Sequence, residues 1–140
     1  MSVQAYQTQQ NYELLSASPM ELVRALYRGA IEATRTARAA LAEGRIRERS
    51  AAITRAAAIV QELTLSLDRE VGGEIAASLA DLYIYMHQRL GEGNIAQTDE
   101  PLAEVEKLLL ILAEAWESIP EAGLPEAEEG LESEPLRLIA

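Results

Sequence analysis

The chain has 140 residues, of which 49% are hydrophobic and 4% aromatic, and its formal net charge is −11. This length suits a single domain, and the apolar share is large enough to form a buried core, which excludes a wholly disordered chain. Alanine is the most frequent residue. Because alanine favours helices and disfavours strands, an all-β fold is excluded as well.

The acidic charge is concentrated in the second half of the chain. Residues 1–70 hold nine basic and eight acidic side chains, whereas residues 71–140 hold three basic and fifteen acidic ones. Binding to nucleic acid or to an anionic membrane surface requires a concentrated basic surface, so we expect neither partner. The longest apolar run covers residues 108–113, far short of the ~20 residues that a membrane-spanning helix needs.

The chain contains no cysteine and one histidine. The absence of cysteine excludes disulfides, thiol catalysis and zinc sites with sulfur ligands. The first fifteen residues lack the basic start and the apolar stretch of a signal peptide. We therefore expect a cytoplasmic protein.

The first two predicted helices are recognised by their start and stop signals. The first begins at Ser18, which can cap the free amides, with a proline next in the chain, and it ends at Gly44. The second covers residues 45–69 and ends at the glycine pair Gly72-Gly73. The predicted inner faces consist of Val23, Tyr27, Ala30, Thr34, Ala37 and Leu41 in the first helix, and of Ile46, Ile53, Ala57, Val60, Leu63 and Leu67 in the second.

The third predicted helix begins at Glu74 and is followed by a loop over residues 91–98. The fourth follows this loop and ends at Pro120. The predicted inner faces consist of Ile75, Leu79, Leu82, Met86 and Leu90 in the third helix, and of Leu102, Val105, Leu109, Leu112, Trp116 and Ile119 in the fourth.

Short connections between four long helices favour antiparallel neighbours. The sequence therefore predicts an all-α fold, an antiparallel up-down four-helix bundle over residues 18–119. A tyrosine-containing segment, residues 1–17, precedes the bundle, and an acidic Pro/Glu-rich tail, residues 120–140, follows it. Both terminal segments are expected to be either flexible or docked on the bundle.

Nothing in the pattern indicates catalysis. The single histidine, His87, has Ile84 three residues before it, so the Glu-x-x-His motif of di-iron bundles is absent. Acidic residues gather around the glycine pair without a fixed ligand spacing, which is more typical of solvated charges than of a cation site. We therefore predict a non-enzymatic protein with no metal and no cofactor.

Helices 3 and 4 carry more apolar residues than one bundle face can bury. The runs 83–86 and 108–112 point around most of their helices. This surplus favours a groove that accepts another helix, from a partner or from the chain's own ends. The alternative is a wider core that those ends cover.

Several segments resemble the FliS family of flagellar export chaperones: residues 63–76 and 79–90, which contain the LD…GGEIA…LY.YM..RL pattern, residues 17–31, and residues 104–116. The resemblance implies a cytosolic chaperone without enzymatic activity. Members of the family hold the C-terminal region of flagellin, prevent its premature polymerisation and help to deliver it to the flagellar export gate. A helical adaptor or secretion chaperone for a different client is the alternative interpretation.

The family position and the surplus apolarity together give candidate residues. The predicted client-binding residues are Tyr27, Ile31, Leu67, Leu79, Tyr83 and Met86. A predicted N-terminal lid, which covers apolar surface until the client arrives, consists of Tyr6, Tyr12 and Leu14. Residues 136–139 of the tail are an alternative lid. The free protein is expected to be a monomer or a weak homodimer.

Overall fold

A computed structural model describes residues 18–118 and contains four helices. They are α1 (Pro19–Ala42), α2 (Ile46–Leu65), α3 (Arg69–Ala96) and α4 (Asp99–Glu117), and the described residues contain no strand. α1 packs against α2 and α4, and α3 packs against the same two helices. Each helix therefore has two neighbours, which confirms the predicted all-α four-helix bundle. The predicted terminal segments lie outside the described residues.

The helix α1 agrees closely with its prediction. The Ser18 hydroxyl accepts a hydrogen bond from the Glu21 amide at 3.2 Å, and Pro19 lies in the first turn, where its missing N–H has no cost. The predicted inner face is buried except for Leu41, which is half-buried. The helix ends at Ala42, and Gly44 adopts a φ of 72° in the turn to α2.

The helix α2 is shorter than predicted. It ends at Leu65 instead of residue 69, and Asp68 then caps α3 by accepting a hydrogen bond from the Val71 amide at 3.1 Å. Leu67 consequently lies in the linker between the two helices. The predicted burial of Ile46 is wrong: the residue is 60% exposed, because it is the first residue of α2 and stands at the end of the bundle.

The helix α3 differs from its prediction at both ends. A non-helical Gly73, with φ 54° and ψ −129°, separates a first turn from the long remainder of the helix. The predicted loop over residues 91–98 is wrong, since the helix continues to Ala96 and Gln97 ends it with a φ of 55°. Gly93 has a packing role there: a Cβ on this residue would lie 2.8 Å from Cδ2 of Leu102 on α4.

The core is organised around a hydrogen-bonded aromatic group. The hydroxyls of Tyr27 on α1 and Tyr83 on α3 lie 2.5 Å apart, and the Trp116 indole N–H on α4 donates to the Tyr27 hydroxyl at 3.3 Å. Burial raises the pKa of both tyrosines, so both stay neutral. This group joins three helices and satisfies three polar groups that would otherwise be costly to bury.

Ion pairs fix the antiparallel register of α1 and α4. The Arg38 guanidinium donates to both Asp99 and Glu106, and Arg35 donates to Glu106 at 2.9 Å. The hydrogen bonds from Arg38 hold the pKa of Asp99 below its usual value. Burial opposes the ionisation of Glu106, but the hydrogen bonds from the two arginines outweigh it and lower the pKa of this carboxyl. Both carboxylates therefore stabilise the bundle in their ionised form.

Candidate client-binding surface

The structure buries four of the six predicted client-binding residues. Tyr27, Tyr83 and Met86 are fully enclosed in the core, and Ile31 is buried as well. A helix lying on the surface of the bundle cannot contact these four side chains unless the bundle opens. Their direct contact with a client stays a prediction.

The other two predicted residues are accessible. Leu67 in the α2–α3 linker and Leu79 on α3 are half-buried and pack against the edge of the core. The predicted lid residues, Tyr6, Tyr12 and Leu14, lie outside the described residues.

Apolar surface accompanies Leu79 along the line where α3 meets α4. Tyr85 donates a hydrogen bond to Glu104 at 2.7 Å, and this contact fixes which turns of the two antiparallel helices face each other. Successive turns towards the start of α3 therefore face successive turns towards the end of α4. The residues along this line, here named the seam, are Ile75, Leu79, Leu82, Leu108, Ile111 and Leu112.

The seam is incompletely covered. Ile75 is 50% and Ile111 54% exposed, and the other four residues are half-buried against the core. The predicted burial of Ile75 is thus wrong. Since α3 and α4 each supply a row of partly exposed apolar side chains, the two rows form a strip of apolar surface, here named the apolar trough.

A charged cluster closes the seam at one end. The Arg89 guanidinium on α3 donates to Glu92, Glu100 and Glu104, at distances between 2.6 and 2.8 Å. Hydrogen bonds from Tyr85 and Arg89 lower the pKa of Glu104, which keeps the carboxylate ionised in the contact. The apolar trough therefore begins beyond this cluster and extends towards the α2–α3 linker.

Further apolar side chains lie at the end of the bundle where α2 passes into α3. Leu65 is 68% and Val71 45% exposed, and Leu67 lies between them in the chain. An open cavity of about 500 Å³ is lined by residues 64–70. These three side chains are named the end cluster. Leu67 is one of the predicted client-binding residues, whereas Leu65 and Val71 were missed, although residues 63, 65 and 67 alternate at a spacing that no single helix face can bury.

A second depression runs between α2 and α3 on the other side of α3. Two cavities of about 560 and 260 Å³ share Gln61, His87 and Gln88 in their linings. The lining is therefore mixed, because apolar residues such as Ile53, Ala57 and Val60 accompany these three polar ones.

Two further properties concern the described part of the chain. Within residues 18–118, the acidic side chains and the single histidine form no group of three that could hold a metal ion. Among the four helices, none combines the length and apolar character needed to cross a membrane.

A helical bundle with an exposed apolar trough is typical of proteins that bind helices of other proteins. Comparison with known proteins gives the family. Residues 2–123 match the sequence profile of the family described as Flagellar protein FliS. The chain therefore belongs to the FliS family of flagellar secretion chaperones, and it is a chaperone and not an enzyme.

Individual relatives agree with this assignment. The flagellar secretion chaperone FliS of Salmonella typhimurium is 40% identical over 116 residues, which cover 81% of this chain and 86% of the relative. FliSB of Pseudomonas aeruginosa is 36% identical, with 76% and 85% covered. FliS of Bacillus subtilis is 32% identical, with 79% and 82% covered.

Proposed function

We propose that this chaperone binds the C-terminal region of flagellin in the bacterial cytosol, prevents its premature polymerisation and aids its delivery to the flagellar export gate. The observation that supports this proposal most directly is the apolar seam between α3 and α4. It lies in a protein whose family consists of flagellar secretion chaperones.

The seam is long enough to contact about two turns of a client helix. From Ile75 to Leu82 it follows α3 for two turns, about 11 Å, and the end cluster prolongs it. An amphipathic client helix that places its apolar face here covers Ile75 and Ile111, the most exposed side chains of the trough. Covering these side chains removes apolar area from water, which supplies the favourable free energy.

Within this proposal the six predicted residues have different roles. Leu67 and Leu79 contact the client directly, because they border the accessible surface. The four buried residues support the client surface from the core by holding α1 and α3 in place; they are Tyr27, Ile31, Tyr83 and Met86. A client that contacts these four would first have to separate the helices.

We further propose that residues 1–17 cover the seam in the free chaperone. Their junction with the bundle supports this role, because α1 starts beside the end of α4: the Arg24 guanidinium donates to the Trp116 carbonyl at 3.3 Å. The seam is therefore within reach of Tyr6, Tyr12 and Leu14. The client then displaces the lid, so deleting residues 1–15 should strengthen client binding and increase the binding of an apolar dye. Unchanged values for both would refute the lid.

The test of the client surface uses a fluorescently labelled peptide from the C-terminal region of flagellin from the same organism. Ile75→Glu and Ile111→Glu place a carboxylate in the trough at positions that are half exposed, so folding should be preserved. Each variant should weaken peptide binding at least about tenfold, or ~1.4 kcal/mol.

The matched control is Ile95→Glu. Among the described residues, Ile95 is the most exposed large apolar residue, and it lies near the end of α3 that is remote from the seam. This variant should bind the peptide as the original protein does. Equal losses in all three variants, or no loss in either seam variant, would refute the seam as the client surface. Failure of the unaltered protein to bind the peptide would favour a different client.

A further inference from the structure

The side of the bundle that α2 and α3 form together, away from the seam, is here named the α2–α3 face. The two cavities between these helices lie along it, and none of their described lining residues is Asp, Glu, Lys or Arg. Charged residues make up 25% of the chain, so an uncharged lining of this length is a distinctive property of the face. Exposed charges such as Arg47 and Glu92 lie beside it, where protein interfaces have their polar rim.

Three exposed isoleucines extend the apolar part of this face. The Ser50 hydroxyl donates to the Asn94 side chain at 3.2 Å, so the start of α2 lies beside the end of α3. Ile46 lies one turn before Ser50 and Ile95 follows Asn94, so these two isoleucines stand at the same end of the face; they are 60% and 85% exposed. Ile84, which is 48% exposed, lines the cavity towards the other end.

We propose that two copies of this chain associate through the α2–α3 face into a homodimer. A two-fold axis parallel to the helices places α2 of each copy on α3 of the other copy, and the paired helices run antiparallel, as in a four-helix bundle. The proposal goes beyond client binding, because the seam lies on the opposite side of α3 and stays accessible in such a dimer. Charge, shape and area favour a second copy as the occupant.

Charge favours a contact between two copies at this face. The chain carries a formal net charge of −11, so two copies repel each other over most of their surface. Association requires a region where close contact brings no like charges together. The lining of the α2–α3 face consists of aliphatic, aromatic, hydroxyl, amide and imidazole groups and meets this condition. A basic partner would gain from carboxylates, and this lining offers it none.

Shape makes the face complementary to itself. A two-fold interface uses the same surface on both copies, so each large group needs a small one elsewhere on that surface. The small exposed or half-buried side chains lie on α2, and the large exposed ones on α3: Thr54, Ala57 and Ala58 against Ile84, Gln88 and Ile95. Because the axis runs along the helices, residues at equal heights meet, and each α3 therefore packs its large side chains on the small ones of the other copy.

Area is sufficient for a weak dimer. From Ile46 to Thr64 the face follows α2 over about 27 Å, and two packed helices are about 20 Å wide. Two copies therefore cover about 1,100 Å² of flat area between them, close to the ~1,000 Å² that a specific protein interface needs. An interface at this lower limit should dissociate with a Kd in the micromolar range.

Sedimentation equilibrium of the full chain tests the dimer. Ile95→Glu and Ala58→Glu each place a carboxylate at two symmetric positions of the interface, and both residues are exposed, so folding should be preserved. Each variant should raise the dimer Kd at least about tenfold. The matched control is Ile111→Glu on the seam, where the original residue is 54% exposed. The control should dimerise as the original protein does.

Disulfide trapping tests the arrangement of the two copies, since the chain has no native cysteine. A protein with Thr54→Cys is mixed with a protein with Gln88→Cys, so that every disulfide joins two chains. The proposed axis brings position 54 of one copy over position 88 of the other and keeps identical positions too far apart to be bridged. The mixture should therefore form disulfides at least about tenfold faster than either protein alone.

Four results would overturn the proposal. The original chain could remain monomeric at about 1 mM, a concentration at which a micromolar dimer is nearly complete. Ile111→Glu could abolish the dimer while Ile95→Glu preserves it, which would place the contact on the seam. Identical cysteines could react faster than the mixture, which would contradict the axis. Finally, Ile95→Glu could weaken binding of the flagellin peptide to a monomeric chain, which would assign the face to the client. The first three results involve no client, so they are distinguishable from a failure of the proposed function.

Discussion

Glycine-to-alanine changes in α3 test the packing of α3 against α4. Gly91 and Gly93 both lie inside the helix, in the segment that the sequence pattern assigns to a loop. A Cβ on Gly91 would meet nothing within 4 Å. A Cβ on Gly93 would lie 2.8 Å from Cδ2 and 2.9 Å from Cγ of Leu102, and Leu102 is fully buried.

The magnitude follows from two opposing effects. Alanine in a helix interior is favoured over glycine by about 1 kcal/mol, a gain that both variants share. Gly91→Ala should therefore raise the free energy of unfolding by about that amount. Gly93→Ala additionally overpacks the core, at a cost of about 1–3 kcal/mol. The two variants should thus differ by about 1–3 kcal/mol, with Gly93→Ala the less stable.

Urea denaturation followed by circular dichroism measures this difference, with the original protein as reference. If both variants are stabilised equally, the close approach of Leu102 to Gly93 is wrong. If Gly91→Ala is destabilised, residues 91–96 are not helical, and the reasoning fails at an earlier step.

Two other predictions concern the core and the ion pairs. Tyr27→Phe should destabilise the protein more than Tyr83→Phe in the same denaturation assay. The Tyr27 change leaves both the Tyr83 hydroxyl and the Trp116 indole N–H without a partner, at about 1–3 kcal/mol for each group, whereas the Tyr83 change removes one hydrogen bond worth about 1 kcal/mol. The reverse order of stabilities would contradict the hydrogen-bonded group. The pKa of Glu106 is lower in the folded state than its ordinary value of 4.5, so the ionised carboxylate should stabilise the fold fully at pH values above 4.5. This contribution should be lost as the pH falls through the folded pKa. Glu106→Gln should therefore reduce the dependence of the melting temperature on pH below 5, whereas Glu114→Gln, at an exposed carboxylate without an ion pair among the described residues, should not.

Much of the fold is determined by residues that are close together in the chain, and this part could be predicted from the sequence. The cap at Ser18 and the 4-3 spacing of α1 are properties of neighbouring residues, and both are confirmed. The apolar stripe of α4 is similarly local: Leu102, Val105, Leu109 and Trp116 are buried, Leu112 is half-buried, and Ile119 lies outside the described residues.

The errors arise where tertiary contacts decide the outcome. The glycines at 91 and 93 are typical of a loop, but the approach of Leu102 gives Gly93 a reason to lie within a helix. The burial of Tyr83 was not indicated by the pattern of its own helix, and its direct contact with a client stays a prediction. Its hydroxyl finds a partner 56 positions away in Tyr27, and a single helix pattern contains no information on that contact.

The seam could be predicted only in part from the sequence. The sequence indicated surplus apolar residues on helices 3 and 4, but the helix periodicity alone did not determine which of them remain exposed. Tyr85 donates a hydrogen bond to Glu104, and Arg89 donates to three carboxylates. These polar contacts mark one end of the apolar trough. These contacts set the register of α3 and α4, and in this register Ile75 and Ile111 remain exposed to solvent.

Calorimetric titration of the full chain with the C-terminal flagellin peptide, repeated at several temperatures, tests the central claim most directly. The account predicts saturable binding of one peptide per chaperone with a large negative heat-capacity change, because the client helix buries the apolar seam. Absence of binding, or binding with a heat-capacity change near zero, would contradict the claim that this bundle holds flagellin by apolar contact.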